Sequence, residues 1–317
     1  MTSKINLLIT GATGFVGREL VRSLLLTKKF NIQIAKRSHK IYFNTNVTEF
    51  NFGNLENFVD KKNILNNIDI IIHLAGRAHQ VRNKKKDNFE KYLKANQYSI
   101  SNLANLASKS GVKKFIFLST LKVNGENNSI KYPFVESNQA NPHDYYSKSK
   151  YEGELSLINS CANSNMKYVI VRAPLIYGSN LKGNLKILEN LLKKNIPMPF
   201  GLINNRRSLL FIENLINFIR ICIESDSSDN HTFLISDDQD LSIFELIKIM
   251  KNILKSKSII IPIPKIILKI IFYLFNKNSL NNKLLESLTL DCAKAKNILS
   301  WKPDSDIKNN LRKTFNQ

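Results

Sequence analysis

The stretch ITGATGFVG, residues 9–17, constrains this chain more than any other. An apolar run, Ile5–Thr10, feeds into it, and an amphipathic pattern leaves it from Val16. Gly11, Gly14 and Gly17 therefore fall between a strand and a helix. Glycines there let the backbone turn tightly and approach a pyrophosphate closely. The helix start then meets that anion with free N–H groups and the positive end of its dipole. The spacing predicts a dinucleotide site, with Thr13, Phe15 and Val16 in the same turn. A glycine-rich turn without a ligand is the plainer alternative.

The pattern around this turn supports that reading. Strands are expected at Ile32–Lys36, Ile68–Leu74, Phe115–Thr120 and Tyr168–Arg172, with helices at Val16–Leu26, Phe89–Ser110 and Tyr145–Asn159. Such alternation implies an α/β fold, a Rossmann-type doubly wound parallel sheet covered on both faces. After Arg172 turn residues thicken, and helical stretches follow without regular strands. We expect a dinucleotide-binding domain over residues 1–172. A smaller, mostly helical C-terminal substrate lobe follows over 173–317, with the chain able to cross back to the sheet.

Composition narrows the setting. Cys161, Cys222 and Cys292 are an odd number, widely spaced, and show no metal-ligand pattern, which fits a reducing, cytoplasmic compartment. No metal is expected. The apolar run at the start is too short for the core of a signal peptide. In IIIPIPKIILKIIFYLFNK, residues 259–277, two prolines and two internal lysines break what could otherwise suggest a membrane span. It reads as a buried strand end followed by an amphipathic helix from Lys265, and peripheral membrane contact is not expected. The net charge of +22 comes from scattered lysines, densest in 82–91, so nucleic-acid binding is not expected either. A basic surface would help capture an anionic small substrate.

Two further features carry chemistry. In NPHDYYSKSKYEGE, residues 141–154, Tyr146 and Lys150 are the Tyr–Lys pair four apart, on one face of a helix. A free phenol titrates near ~10, and a cation one turn away favours its ionised form. At the end of the second strand stand Lys36 and Arg37, where a carboxylate would bind the ribose hydroxyl of NAD. Two cations there favour the 2′-phosphate of NADP over NAD.

TGATGFVG, FLSTLKVNG, YYSKSK, RAPLIYG and LSWKP occur in the order seen in the extended short-chain dehydrogenase/reductase family. The likeness runs from Asn6 to Pro303. Within that family the chain resembles nucleotide-sugar 4-epimerases and 4-keto-reductases of bacterial polysaccharide pathways. The resemblance implies that Tyr146 is the catalytic acid/base, Lys150 its partner, and Thr120 the hydroxyl that holds the substrate oxygen, with Ser119 as the neighbouring alternative. It places Asn54 and Leu55 at the adenine, Leu74, Ala75 and Gly76 under the phosphates and ribose, and Asn96 on the next helix. It assigns Asn184 and Arg207 to the nucleotide sugar, with Arg206 able to replace Arg207. His73 reads as a core residue, and His79 is a less favoured base. Leu175 and Asn124 depart from the pattern of some 4-epimerases. Leu121 and Lys122 stand where dehydratases carry an acidic pair.

These residues point to an oxidoreductase working at the 4-position of a UDP-hexose or UDP-HexNAc. Reduction of a UDP-4-keto-6-deoxy-HexNAc is favoured, with 4-epimerisation of UDP-GlcNAc or UDP-Glc as the alternative. A cofactor-sensing protein without catalysis is the reading from another class. Family resemblance implies a homodimer through the helices at 89–110 and 145–159.

Overall fold

The computed structural model describes residues 4–37, 43, 47–60, 63–77, 88–179, 183–276 and 280–315. His79 and most of the basic run at 82–91 lie outside them.

The first half builds β1 (Ile5–Thr10), α1 (Phe15–Thr27), β2 (Phe30–Lys36), β3 (Val47–Asn51), β4 (Ile70–His73), α2 (Phe89–Leu93), α3 (Ser99–Lys109), β5 (Lys114–Thr120), α4 (Tyr145–Ala162) and β6 (Lys167–Ala173). The helix expected over Phe89–Ser110 is interrupted by a π-helical turn, Lys94–Tyr98, which carries the buried Asn96. The second half adds β7 (Leu175–Tyr177), α5 (Asn184–Lys193), β8 (Leu209–Phe211), α6 (Ile212–Glu224), β9 (His231–Leu234), α7 (Ile243–Ile253), α8 (Lys265–Leu274), α9 (Ala293–Leu299) and α10 (Ile307–Phe315).

Seven strands form one parallel sheet in the order β3-β2-β1-β4-β5-β6-β9. Strand periodicity divides its core into two. Leu7, Ile9, Ile72, Ile116 and Val171 pack with α1 and α6. Leu8, Ile71, Phe115, Phe117 and Ile170 pack with α3 and α4. Near-continuous apolar strands are the signature of a sheet buried on both faces.

The second half carries three short strands that the sequence pattern does not mark. β9 leaves it to pair with β6, and β7 with β8 forms a separate parallel pair. All three are three or four residues long, too short to show a period in the sequence. The segment 259–277 also differs. Helix α8 does begin at Lys265, but Ile259 is exposed instead of ending a buried strand, and Leu268 is the one buried residue of the helix. Among the described residues no helix is long and apolar enough to cross a membrane. The three cysteines are free and buried.

Candidate active site

The glycine turn is shaped by contacts that leave no room for side chains. Gly11 adopts φ +70°, and a Cβ on it would lie 2.6 Å from the Ala75 nitrogen. A Cβ on Gly17 would sit 2.3 Å from the Gly11 carbonyl oxygen. Gly14, by contrast, is exposed and caps α1 with no side-chain bond to the first turn. No acidic residue occupies that turn. The N–H groups at the start of α1 are thus available to an anion, with Thr13, Phe15 and Val16 around them. This cradle, whose backbone a Cβ at Gly11 or Gly17 would force apart, fits the pyrophosphate of a dinucleotide.

The loop after β4 forms the next wall. Leu74 N–H donates to the Thr10 carbonyl at 3.2 Å, and Ala75 N–H to the Thr10 hydroxyl at 3.3 Å. That hydroxyl also lies 3.0 Å from Nδ1 of His73, its register partner across the ladder. His73 is fully buried beside Phe115 and Phe117, and burial, then the Lys150 charge, lowers its pKa to about 3. It stays neutral at physiological pH and packs as a core residue. Gly76 faces Asn96 and Lys150: a Cβ there would meet Asn96 Oδ1 at 2.9 Å and Lys150 Nζ at 3.2 Å. Asn96 accepts from the Arg77 N–H at 2.7 Å and donates to Ser149 Oγ at 2.9 Å.

Asp144 starts α4 with a capping box: it accepts from Ser147 N–H at 2.7 Å, and Ser147 Oγ accepts from Asp144 N–H. This cap sets Tyr146 in the first turn and Lys150 one turn later. Tyr146 is half-buried there. Lys150 Nζ donates to the Leu118 carbonyl at 3.0 Å and lies 4.5 Å from the centre of the Phe117 ring. All three line a cavity of about 140 Å³ with Leu74, Gly76 and Ala173. A larger cleft, about 700 Å³, lies along residues 124–143 and includes none of the three.

The electrostatics differ from the sequence argument. Tyr146 is pushed up to about 12, first by burial, then by the Asp144 carboxylate, with Thr120 acting the other way. Burial brings Lys150 down to about 8, against a smaller opposite pull from Glu154.

Ser119 and Thr120 both line the cavity, but strand alternation gives them different partners. Positions 115, 117 and 119 of β5 share the α4 face, so Ser119 donates to the Glu154 carboxylate beneath the site. Glu154 also takes Arg172 Nη2 at 2.6 Å, and Arg172 Nη1 donates to Asn124 Oδ1 at 3.0 Å. Asn124, Glu154 and Arg172 therefore form a buried brace that the sequence reading missed. The capping Asp144 was missed too, although an aspartate three residues before a serine at a helix start is a legible signal.

The more distant residues are differently placed. Lys36 donates to Glu49 at 2.6 Å, both side chains being nearly buried, while Arg37 is exposed. Asn54 is exposed ahead of a short 3₁₀ turn, and the carbonyl of buried Leu55 accepts from Asn102 at 2.9 Å. Asn184 opens α5 and is exposed. Arg207 Nη1 donates to the carbonyls of Asn282 (2.9 Å) and Glu286 (3.0 Å), and burial lowers its pKa to about 10. Arg206, the alternative anion ligand, is engaged by Glu245 at 2.6 Å.

Residues 7–236 match the model of the NAD dependent epimerase/dehydratase family. A protein of Vibrio cholerae named UDP-glucose 4-epimerase is 35% identical over 310 residues, 98% of this chain and 94% of its own. An Escherichia coli O157:H7 protein named N-acetyl-alpha-D-glucosaminyl-diphospho-ditrans,octacis-undecaprenol 4-epimerase is 25% identical, covering 80% of this chain and 73% of its own. The crystal structure of UDP-glucose 4-epimerase with UDP-glucose from Thermotoga maritima superposes with a TM-score of 0.77 at 22% identity, over 98% of this chain and 97% of that one. That of UDP-glucuronic acid 4-epimerase from Bacillus cereus in complex with NAD gives 0.78 at 18% identity, over 98% of each chain.

Proposed function

Because the chain belongs to the NAD dependent epimerase/dehydratase family, we propose that it is a nucleotide-sugar 4-epimerase acting on a UDP-linked hexose or N-acetylhexosamine. The observation that carries this reading is the convergence of Thr120, Tyr146 and Lys150 on one cavity, beside Gly76 of the loop that packs on the glycine turn. The Vibrio relative supports the reaction.

NAD, held by the glycine turn and the loop at Leu74–Gly76, would supply a reversible hydride acceptor for C4 of the sugar. Tyr146 removes the proton from the 4-hydroxyl and later gives it back, with Thr120 holding that oxygen in line. A phenol near 12 is a reluctant base. Lys150, still protonated at neutral pH with a value of about 8, supplies the positive charge one helical turn away. Arg207 and Asn184 are the proposed contacts to the UDP moiety, and Asn54 and Leu55 to the adenine. A homodimer through α3 and α4, a cytoplasmic location and the division near residue 172 belong to the same reading.

The sequence favoured reduction with NADPH on the strength of Lys36 and Arg37. The Glu49 carboxylate neutralises Lys36, so NAD is the better-supported cofactor and epimerisation the better-supported reaction. A second reading concerns the carrier. A sugar on a polyprenyl diphosphate has in its favour the exposed apolar helix α8 and the Escherichia coli relative named for such a substrate.

The test is incubation with UDP-glucose and with UDP-GlcNAc without added cofactor. The 4-epimer should appear. Tyr146→Phe should lose about 10²–10⁴-fold in turnover and keep its melting temperature. NADPH consumption with a UDP-4-keto-6-deoxy-HexNAc, and no epimer from any of these sugars, would refute the proposal. Unchanged function in Tyr146→Phe would point to a sensor.

A further inference from the structure

Helix α8 is ten residues long and turns the wrong side outward for a protein surface. Leu268 is buried, while Ile266, Ile267, Ile270, Tyr273 and Leu274, with Phe275 just beyond, are between 47% and 73% exposed. Ile266, Ile270, Tyr273 and Leu274 follow the i, i+4, i+7, i+8 spacing of a single helical stripe. Contiguous apolar surface of this kind marks an interaction site.

Charge around the helix says what the partner is. From Leu246 to Leu285 the chain has eight lysines and no aspartate or glutamate. Two of them, Lys265 and Lys269, are each 2.8 Å from Glu286, on the flank of α8 that faces the protein. Others, such as Lys255 and Lys257, are exposed in the segment that precedes the helix in sequence. A second copy of this chain would bring the same cationic surface against itself, since a two-fold interface joins identical patches. An anionic lipid surface meets both demands: acyl chains for the stripe and headgroup charge for the lysines.

We propose that α8 lies in the interface of an anionic bilayer and holds the protein there as a peripheral membrane protein. The helix is too short to span. Its pairing with Glu286 keeps the lysine flank against the body and the apolar stripe outward. The sequence reading set membrane contact aside because it expected α8 to bury its apolar side. The inference stands on α8 and the lysines around it and holds for either sugar carrier.

Cosedimentation of the full chain with vesicles tests it. The protein should pellet with equal parts phosphatidylglycerol and phosphatidylcholine, much less with phosphatidylcholine alone, and less as salt is raised. Ile266→Asp with Leu274→Asp should weaken partitioning about a hundredfold. Lys255→Glu with Lys257→Glu should weaken it about tenfold. Circular dichroism melts should match wild type for both variants. Failure of wild type to prefer anionic vesicles, or unchanged pelleting of the Ile266/Leu274 variant, overturns the proposal. So does a wild-type oligomer that ignores lipid and that the Ile266/Leu274 variant splits, which would assign the stripe to a second copy.

Discussion

Lys150 is placed at a cost to the fold, and that cost can be measured. Its pKa falls from 10.5 to about 8 because the ammonium is buried. At ~1.36 kcal/mol per unit, the folded state is penalised by about 3 kcal/mol while the side chain is charged. Below about pH 8 both states carry the proton and the penalty is complete. Between about pH 8 and 10.5 the unfolded chain holds the proton more tightly, so stability rises with pH, and above 10.5 the penalty is gone. Lys150→Met keeps the aliphatic stem but leaves the Leu118 carbonyl without its donor, a loss of about 1 kcal/mol. The variant should therefore be more stable than wild type by about 2 kcal/mol at pH 7. Above pH 10.5 the advantage should reverse to a loss of about 1 kcal/mol. Urea unfolding of nucleotide-free protein across that range is the assay. A variant less stable than wild type at pH 7, or a difference that does not change with pH, would refute the claim that burial sets this lysine. Epimerase turnover should fall sharply in the same variant, so stability and activity would move in opposite directions.

Three further outcomes follow from the packing. Gly17→Ala should cost about 3 kcal/mol and weaken NAD binding in calorimetry, because the added carbon meets backbone atoms 2.3 and 2.6 Å away. Arg172→Met should cost about 3–5 kcal/mol by leaving the Glu154 carboxylate buried without its guanidinium, and adding Glu154→Leu should recover most of it, as a double-mutant cycle in urea would read. Asp144→Ala should cost about 1 kcal/mol through the lost cap and lower the Tyr146 pKa below about 12, followed by ultraviolet titration of the phenolate.

Much of this was legible because local pattern and fold agree. β1 begins and ends at the residues its apolar run marks, and the glycine turn, α1 and the Tyr146–Lys150 face follow from spacing alone. What stayed hidden depends on which strands become neighbours. Lys36 looks free for a phosphate until β3 is laid beside β2, where Glu49 opposes Ile34 and reaches the ammonium. The roles of Ser119 and Thr120 diverge only once α4 covers one face of β5. Tyr146 ionises with more difficulty than spacing suggests, because burial and Asp144 are properties of the packed site and not of the helix. β9, four residues from a distant part of the chain, offers no periodic signal of its own.

That last strand limits how the molecule can open. The chain leaves the sheet after Ala173, returns at His231 to lie along β6, and leaves again after Leu234. Swinging the later residues away from the earlier ones like a jaw would tear a ladder rung by rung. Substrate entry and exit are then left to yielding loops at the rim, and amides of β6, held between β5 and β9, should be among the slowest in the protein to exchange with deuterium.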